Sequence, residues 1–284
     1  MAAEGLRHIL VPVDFSDLSA LGLRYADALA RCSGAKLSAL FANPFQPPAY
    51  FTPTRVAEMQ AHFDAARQDA ESYLREFVAT TLPGRGDVAA VVIDAMPVDA
   101  ILRESERLRP DMIVLGTHGR TGINRLMMGS VAERLIRSSR VPVLAVRGDA
   151  PAAAGPVPID RILCPVNDTP FARKALHYAV RLARCFGAAL TVLHVEEPSG
   201  AHGIADLGAW VPAALREQAE IRELRRQGEA AQQVIAAASE WKPGILVLGA
   251  HHQRFLDSTT LGATTIRILR HAPCAVLAVF TEAE

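Results

Sequence analysis

The densest chemistry in the chain lies in one stretch, Gly116-Thr117-His118-Gly119-Arg120-Thr121-Gly122, which closes later on Gly129-Ser130-Val131. The spacing, G-x2-G-x9-G-S, puts glycines where a backbone must come close to a ligand and ends on Gly-Ser at an expected helix start. A residue without Cβ lets N–H groups reach an anion and allows backbone angles that other residues resist. The first turn of a helix adds N–H groups that have no intrahelical acceptor and the positive end of the dipole, and the Ser130 hydroxyl adds a donor. These residue types suit an anion cradle with phosphate as the ligand. The chain has neither GxxxxGK[ST] nor GxGxxG, so the loop is not a lysine-based phosphate loop or a dinucleotide fingerprint. Lys36, Lys174 and Lys242 are the only lysines, so cationic contact to phosphate would come from guanidinium groups, Arg120 ahead of Arg125 because it directly follows Gly119.

Other residues of chemical interest have plainer readings. His118 has no serine or cysteine nucleophile beside it and reads as a lining residue, not a general base. His251 and His252 are adjacent and lack the i, i+4 helical spacing of a zinc pair. Cys32, Cys164, Cys185 and Cys274 show no CxxC spacing and read as small core residues. No catalytic and no metal-ligating residue is therefore assigned. Met127 and Met128 read as core filling. The segment from Asn43 to Thr54 holds four prolines and three aromatics, and reads equally as a semi-rigid lid or as a surface loop packed on its own rings.

The elements that must position the loop follow from an internal repeat. Ile9 and Gly34 match Ile162 and Gly187 at an offset of 153, whereas Gly116, Gly129 and Val143 match Gly249, Gly262 and Val276 at an offset of 133. The second copy is thus about 20 residues shorter (153 minus 133), and the loss lies between its second strand and the strand ending at Gly249; Pro212 to Gly228 reads there as one continuous helix. A Pro-, Gly- and Ala-rich stretch separates the copies, giving domains 1–148 and 159–284 and a linker 149–158. In copy one, apolar β-branched runs (HILVPVD, KLSALFA, VAAVVID, MIVLG, VPVLAVR) alternate with helical periods over Asp17–Cys32, Arg55–Val78, Val98–Arg107 and Ser130–Ser138. Alternation of this kind means βαβ units and a parallel sheet covered on both faces: an α/β fold of two tandem doubly wound parallel-sheet sandwiches, the second shortened. In such sheets ligands bind beyond the carboxyl ends of strands where the winding reverses, which points to Asp14 and Gly116.

Half of the 284 residues are hydrophobic and 30 basic side chains balance 30 acidic ones, which gives no electrostatic footprint for a nucleic acid. The N-terminal residues lack a signal-peptide pattern, and no apolar run approaches the roughly 20 residues of a spanning helix, so the expectation is a cytoplasmic protein without membrane contact.

HILVPVDFSDLS at the start, with GTHGRTGINRLMMGSVAERLI and VPVLAVR, resembles the universal stress protein family, and the two copies together resemble its tandem members. The resemblance implies a Rossmann-like sandwich of the adenine nucleotide alpha hydrolase type that binds ATP, with or without Mg2+, in the first domain. By position it implies that Pro12, Val13 and Asp14 border the adenosine and that Ala42 offers backbone to the adenine. Leu115, Gly116, His118, Gly119 and Arg120 would line ribose and phosphate, and Gly129, Ser130 and Val131 would close on the phosphates. Ala42 departs from the more usual valine, which leaves a backbone contact intact. The resemblance also implies that the terminal strands VPVLAVR and CAVLAVF pair across a two-fold, making an intramolecular pseudo-dimer, with a further homodimer and a protein partner open.

Copy two keeps Gly249 and Gly262 but carries Asn167 for Asp14, His252 for Gly119, Phe255 for Gly122 and Ala263 for Ser130, so it is not expected to bind nucleotide this way. Three functions remain open: a nucleotide-dependent stress-response regulator with at most weak hydrolysis, a slow ATPase or phosphotransferase, and a nucleotide-free scaffold.

Overall fold

The computed structural model describes residues 5–44, 52–117, 128–147, 157–197, 220–255 and 258–280. By contacts the chain divides into two compact units, residues 1–115 and 116–284.

The first unit runs β1 (His8–Val13), α1 (Asp17–Ser33), β2 (Lys36–Ala42), α2 (Pro53–Thr81), β3 (Ala89–Ile93), α3 (Pro97–Leu108) and β4 (Met112–Gly116), β4 ending at its border. Its strands lie in the order β3-β2-β1-β4, all parallel, with Ile9 opposite Leu37 on one side and Met112 on the other. Ile9, Leu10, Leu37, Leu40, Met112 and Ile113 are almost wholly buried, which is why these strands read as continuous apolar runs and not as alternating ones. α1 forms where local signals agree. The Ser16 hydroxyl accepts from the Ser19 N–H, Leu21, Tyr25 and Leu29 face the core, and Gly34 ends the helix at φ 77° with its N–H on Ala30 O. Cys32 departs from the core reading: it is half-buried near the end of α1 and carries a disulfide-bonded sulfur.

The second unit contains α4 (Ser130–Ser138), β5 (Val143–Val146), β6 (Arg161–Val166), α5 (Pro170–Phe186), β7 (Ala189–Glu196), β8 (Ile221–Gln227), α6 (Ala230–Trp241), β9 (Ile245–Ala250), β10 (His252–Phe255), β11 (Ser258–Leu261), α7 (Ala263–His271) and β12 (Ala275–Phe280). Its main sheet has the order β5-β12-β9-β6-β7-β8, parallel except that β5 runs antiparallel to β12. α5 repeats the grammar of α1: Thr169 caps it by accepting from the Ala172 N–H, Pro170 opens it, and Gly187 closes it at φ 63°. Cys164 and Cys274 are buried as expected. Cys185 is exposed and disulfide-bonded, and so is no core residue.

The shortening of copy two cost it no strand. Between β2 and β3 the chain takes residues 43–88, and between β7 and β8 only residues 197–220. The continuous helix expected from Pro212 to Gly228 is corrected by β8, which pairs in parallel with β7 from Leu190↔Ile221 to Glu196↔Gln227; the part before residue 220 lies outside the described residues. Ile221-Arg-Glu-Leu-Arg-Arg-Gln227 is built largely of good helix formers, and pairing with β7 overrides that local preference. Its exposed arginines suit an edge strand, because charge there discourages pairing with another chain.

Candidate functional site

The expected site residues fall in both units. In the first, Pro12 and Val13 close β1 opposite Leu40 and Phe41 of β2, and Asp14 follows at the carboxyl end of the strand. Asp14 Oδ1 accepts from the Ser16 N–H at 3.1 Å and from the Ser16 hydroxyl at 2.5 Å, so the residue that caps α1 also orients the carboxylate. Between them Phe15 sits at φ 63°, a left-handed conformation that costs a bulky residue about 1–2 kcal/mol. Its ring is held 4.6 Å from that of Phe41, 4.7 Å from Tyr73 and 5.4 Å from Phe77. Ala42 ends β2, half-buried and paired with Ile93. The next residue, Asn43, donates its N–H to Ile93 O and its side-chain amide to Asp94 Oδ1 at 2.9 Å. Leu115 is a buried residue of β4.

In the second unit, Gly116 ends β4 and Thr117 fixes the base of the loop. Thr117 is fully buried, its N–H and its hydroxyl both donate to Val146 O, and its carbonyl accepts from the Gly129 N–H at 2.7 Å. That bond ties the end of β4 to the residue that opens α4. Gly129 is the N-cap, with extended backbone and no side-chain cap hydrogen bond, so among the described residues no side chain caps the N–H groups that open α4 at Ser130 and Val131. His118, Gly119 and Arg120 lie outside the described residues, as do Arg125 and Met127 and most of the stretch from Asn43 to Thr54.

Copy two holds the same positions differently. Asn167 Oδ1 accepts from the Thr169 hydroxyl at 2.6 Å, which reproduces the Asp14–Ser16 bond without the charge. The segment equivalent to residues 119–128 forms the antiparallel pair β10–β11, with His252 opposite Leu261 and Phe255 opposite Ser258. A ladder uses backbone N–H groups that a cradle would aim at an anion. Gly249, the counterpart of Gly116, is enclosed: a Cβ on it would stand 2.6 Å from Phe171 O and 2.9 Å from Ala172 N. Helix packing alone therefore requires glycine at that position. His251 stacks its ring on Phe171, 5.5 Å between centroids and 10° between planes, as a packed histidine.

The sequence carried no signal for Thr117, for the Asn43–Asp94 bond or for the strain at Phe15. Each depends on neighbours distant in the chain or on a single backbone angle.

A sequence model described as the Universal stress protein family matches residues 5–147 and again 158–279. The chain belongs to the universal stress protein family. A universal stress protein of Methanocaldococcus jannaschii is 26% identical over 145 residues, covering 50% of this chain and 82% of that protein. One of Mycobacterium tuberculosis is 30% identical over 142 residues, or 49% of this chain, and the match spans only 45% of that protein. The solved universal stress protein of Archaeoglobus fulgidus superposes with a TM-score of 0.71 at 21% identity, covering 96% of this chain and 98% of the other, so the fold is shared along the whole tandem. Among the described residues of this universal stress protein, no helix is long and apolar enough to cross a membrane.

Proposed function

We propose that this universal stress protein is a cytoplasmic, nucleotide-dependent regulator that binds ATP or another adenine nucleotide in its first copy and none in its second. The observation that carries this reading is the opening of α4: Gly129 caps it without a side chain and is tied through Thr117 to the end of β4, and Ser130 stands first in the helix. A helix start of that kind favours an anion. Gly129, Ser130 and Val131 would hold the phosphates, with Gly116, His118, Gly119 and Arg120 lining the ribose and phosphate side beside Leu115. Pro12, Val13, Asp14 and Ala42 would border the adenosine, with Mg2+ as an accompanying ion. ATP would supply the charge and the differential contacts by which occupancy shifts the population of loop conformations toward one that a protein partner reads. The hairpin in place of the second loop favours one nucleotide per chain.

The chain is also read as its own pseudo-dimer, with domains 1–148 and 159–284 joined by the linker 149–158. Support comes from β5 and β12, where Leu144 pairs with Leu277, its counterpart at the offset of 133 (277 minus 144), as strands related by a two-fold would. Further association into a homodimer is compatible with this.

Calorimetry of ATP binding to the wild type and to Gly119→His, which places the copy-two residue in copy one, tests the reading. One site per chain in the wild type and at least a tenfold loss in the variant are expected, because a Cβ and a ring would block the backbone approach. Two sites, or undiminished binding by the variant, would sink it. Magnesium-dependent turnover well above background would favour the slow phosphotransferase instead.

A further inference from the structure

The helix that opens at Gly129 is gripped by the second copy. Glu133 lies in the first turn of α4, close in sequence to Gly129 and Ser130. Glu133 Oε1 accepts from Arg137 Nη2 at 2.9 Å, four residues on in α4, and from Arg270 Nη2 at 2.9 Å, on α7 of copy two. Arg137 and Arg270 are themselves repeat equivalents at the offset of 133 (270 minus 137), so one carboxylate of copy one takes both members of the pair. In copy two the residue equivalent to Glu133 is Ile266, so the arrangement has no mirror image. Two more contacts fix α7 and α4: Arg147, just after β5, donates from Nη1 to Arg270 O and Ala272 O, and β11 of the copy-two hairpin lies against α4.

We propose that Arg270 of the second copy is a positioning residue for the phosphate site of the first, acting by holding and neutralising Glu133 at the start of α4. The proposal rests on copy one being the nucleotide site. A carboxylate in the first turn of a helix favours the helix but competes with phosphate for the same positive end. A guanidinium drawn to it from another element removes much of that repulsion and keeps the carboxylate turned toward Arg137. Copy two thereby contributes to nucleotide binding although its own loop has become a hairpin.

The test is a cycle of full-length Arg270→Gln, Glu133→Gln and the double variant, with ATP dissociation constants measured by calorimetry at low and high ionic strength. Arg270→Gln should weaken ATP about fivefold at low salt, and the deficit should shrink at high salt, because partly exposed charges are screened. Adding Glu133→Gln to Arg270→Gln should restore affinity to the wild-type level or better, since the repelling charge is gone. A merely structural role for Arg270 predicts no such rescue, and thermal unfolding of each variant separates loss of fold from loss of affinity. Equal affinity of Arg270→Gln and wild type, or a deficit that Glu133→Gln leaves in place, would overturn the coupling while leaving the nucleotide reading intact. Absence of ATP binding by the wild type would overturn both.

Discussion

Replacing Gly249 with alanine puts a Cβ 2.6 Å from Phe171 O, 2.7 Å from Phe171 C and 2.9 Å from Ala172 N, where 3.4 Å is the start of ordinary contact. The nearest approach must open by about 0.8 Å, the difference of those two distances. All three atoms are backbone in the first turn of α5, which Thr169 caps and which packs on β9, so none can move away as the tip of a flexible side chain would. Forcing such a shift on a packed interior costs about 1–3 kcal/mol. At about 2–4 °C per kcal/mol for a unit of this size, the midpoint of thermal unfolding should fall by roughly 2–12 °C. Urea unfolding followed by circular dichroism should show the lower midpoint at unchanged m, since the surface exposed on unfolding is the same. Gly86→Ala is the control: a Cβ there meets nothing within 4 Å and the backbone needs no positive φ, so its effect should stay within about 0.5 kcal/mol. If Gly249→Ala matches the control, helix packing is not what requires glycine at the end of β9, and the retention of this glycine ahead of the β10–β11 ladder loses its explanation.

Other outcomes follow from the same geometry. Asp14→Asn should change stability by less than about 1 kcal/mol, because Asn167 shows an amide oxygen accepting from the neighbouring hydroxyl in the same way, yet it should alter ATP affinity measurably by calorimetry. At Phe15 the usual order of small substitutions should reverse: Phe15→Gly relieves the left-handed strain and Phe15→Ala does not, so in urea titrations the glycine variant should be the more stable by about 1 kcal/mol, with both below wild type through loss of the aromatic contacts. Burial pushes the Cys274 thiol up to about 12 and raises Cys164 further, so mass spectrometry should find both unalkylated in the native protein at mildly alkaline pH and modified in concentrated urea. Burial acts to raise the Glu133 carboxyl, but the bond from Arg137 and the charge of Arg270 outweigh it and hold the group below the usual range. The stability it contributes is present above the unfolded carboxyl value and is lost as pH falls through the folded one. A carboxyl titration followed by NMR should show its midpoint moving up in Arg270→Gln.

The sequence by itself determined the duplication, the alternation of strands and helices, and the start of α4 at Ser130, because periodicity, caps and glycine positions are local and survive in a string of letters. It also set out the glycine pattern from Gly116 to Ser130 and the change of that pattern in copy two. It misread Ile221–Gln227 as helix, since only the edge of β7 makes that charged segment a strand, and it took Cys32 and Cys185 for core residues, since burial depends on which face of α1 and α5 is covered. The tertiary structure alone decided that Phe15 is strained beside Asp14, that Thr117 ties the loop base to α4, that Gly249 is needed for packing, and that Arg270 reaches Glu133. Each of those joins residues whose chain separation gives no local signal, so packing and not propensity selects them.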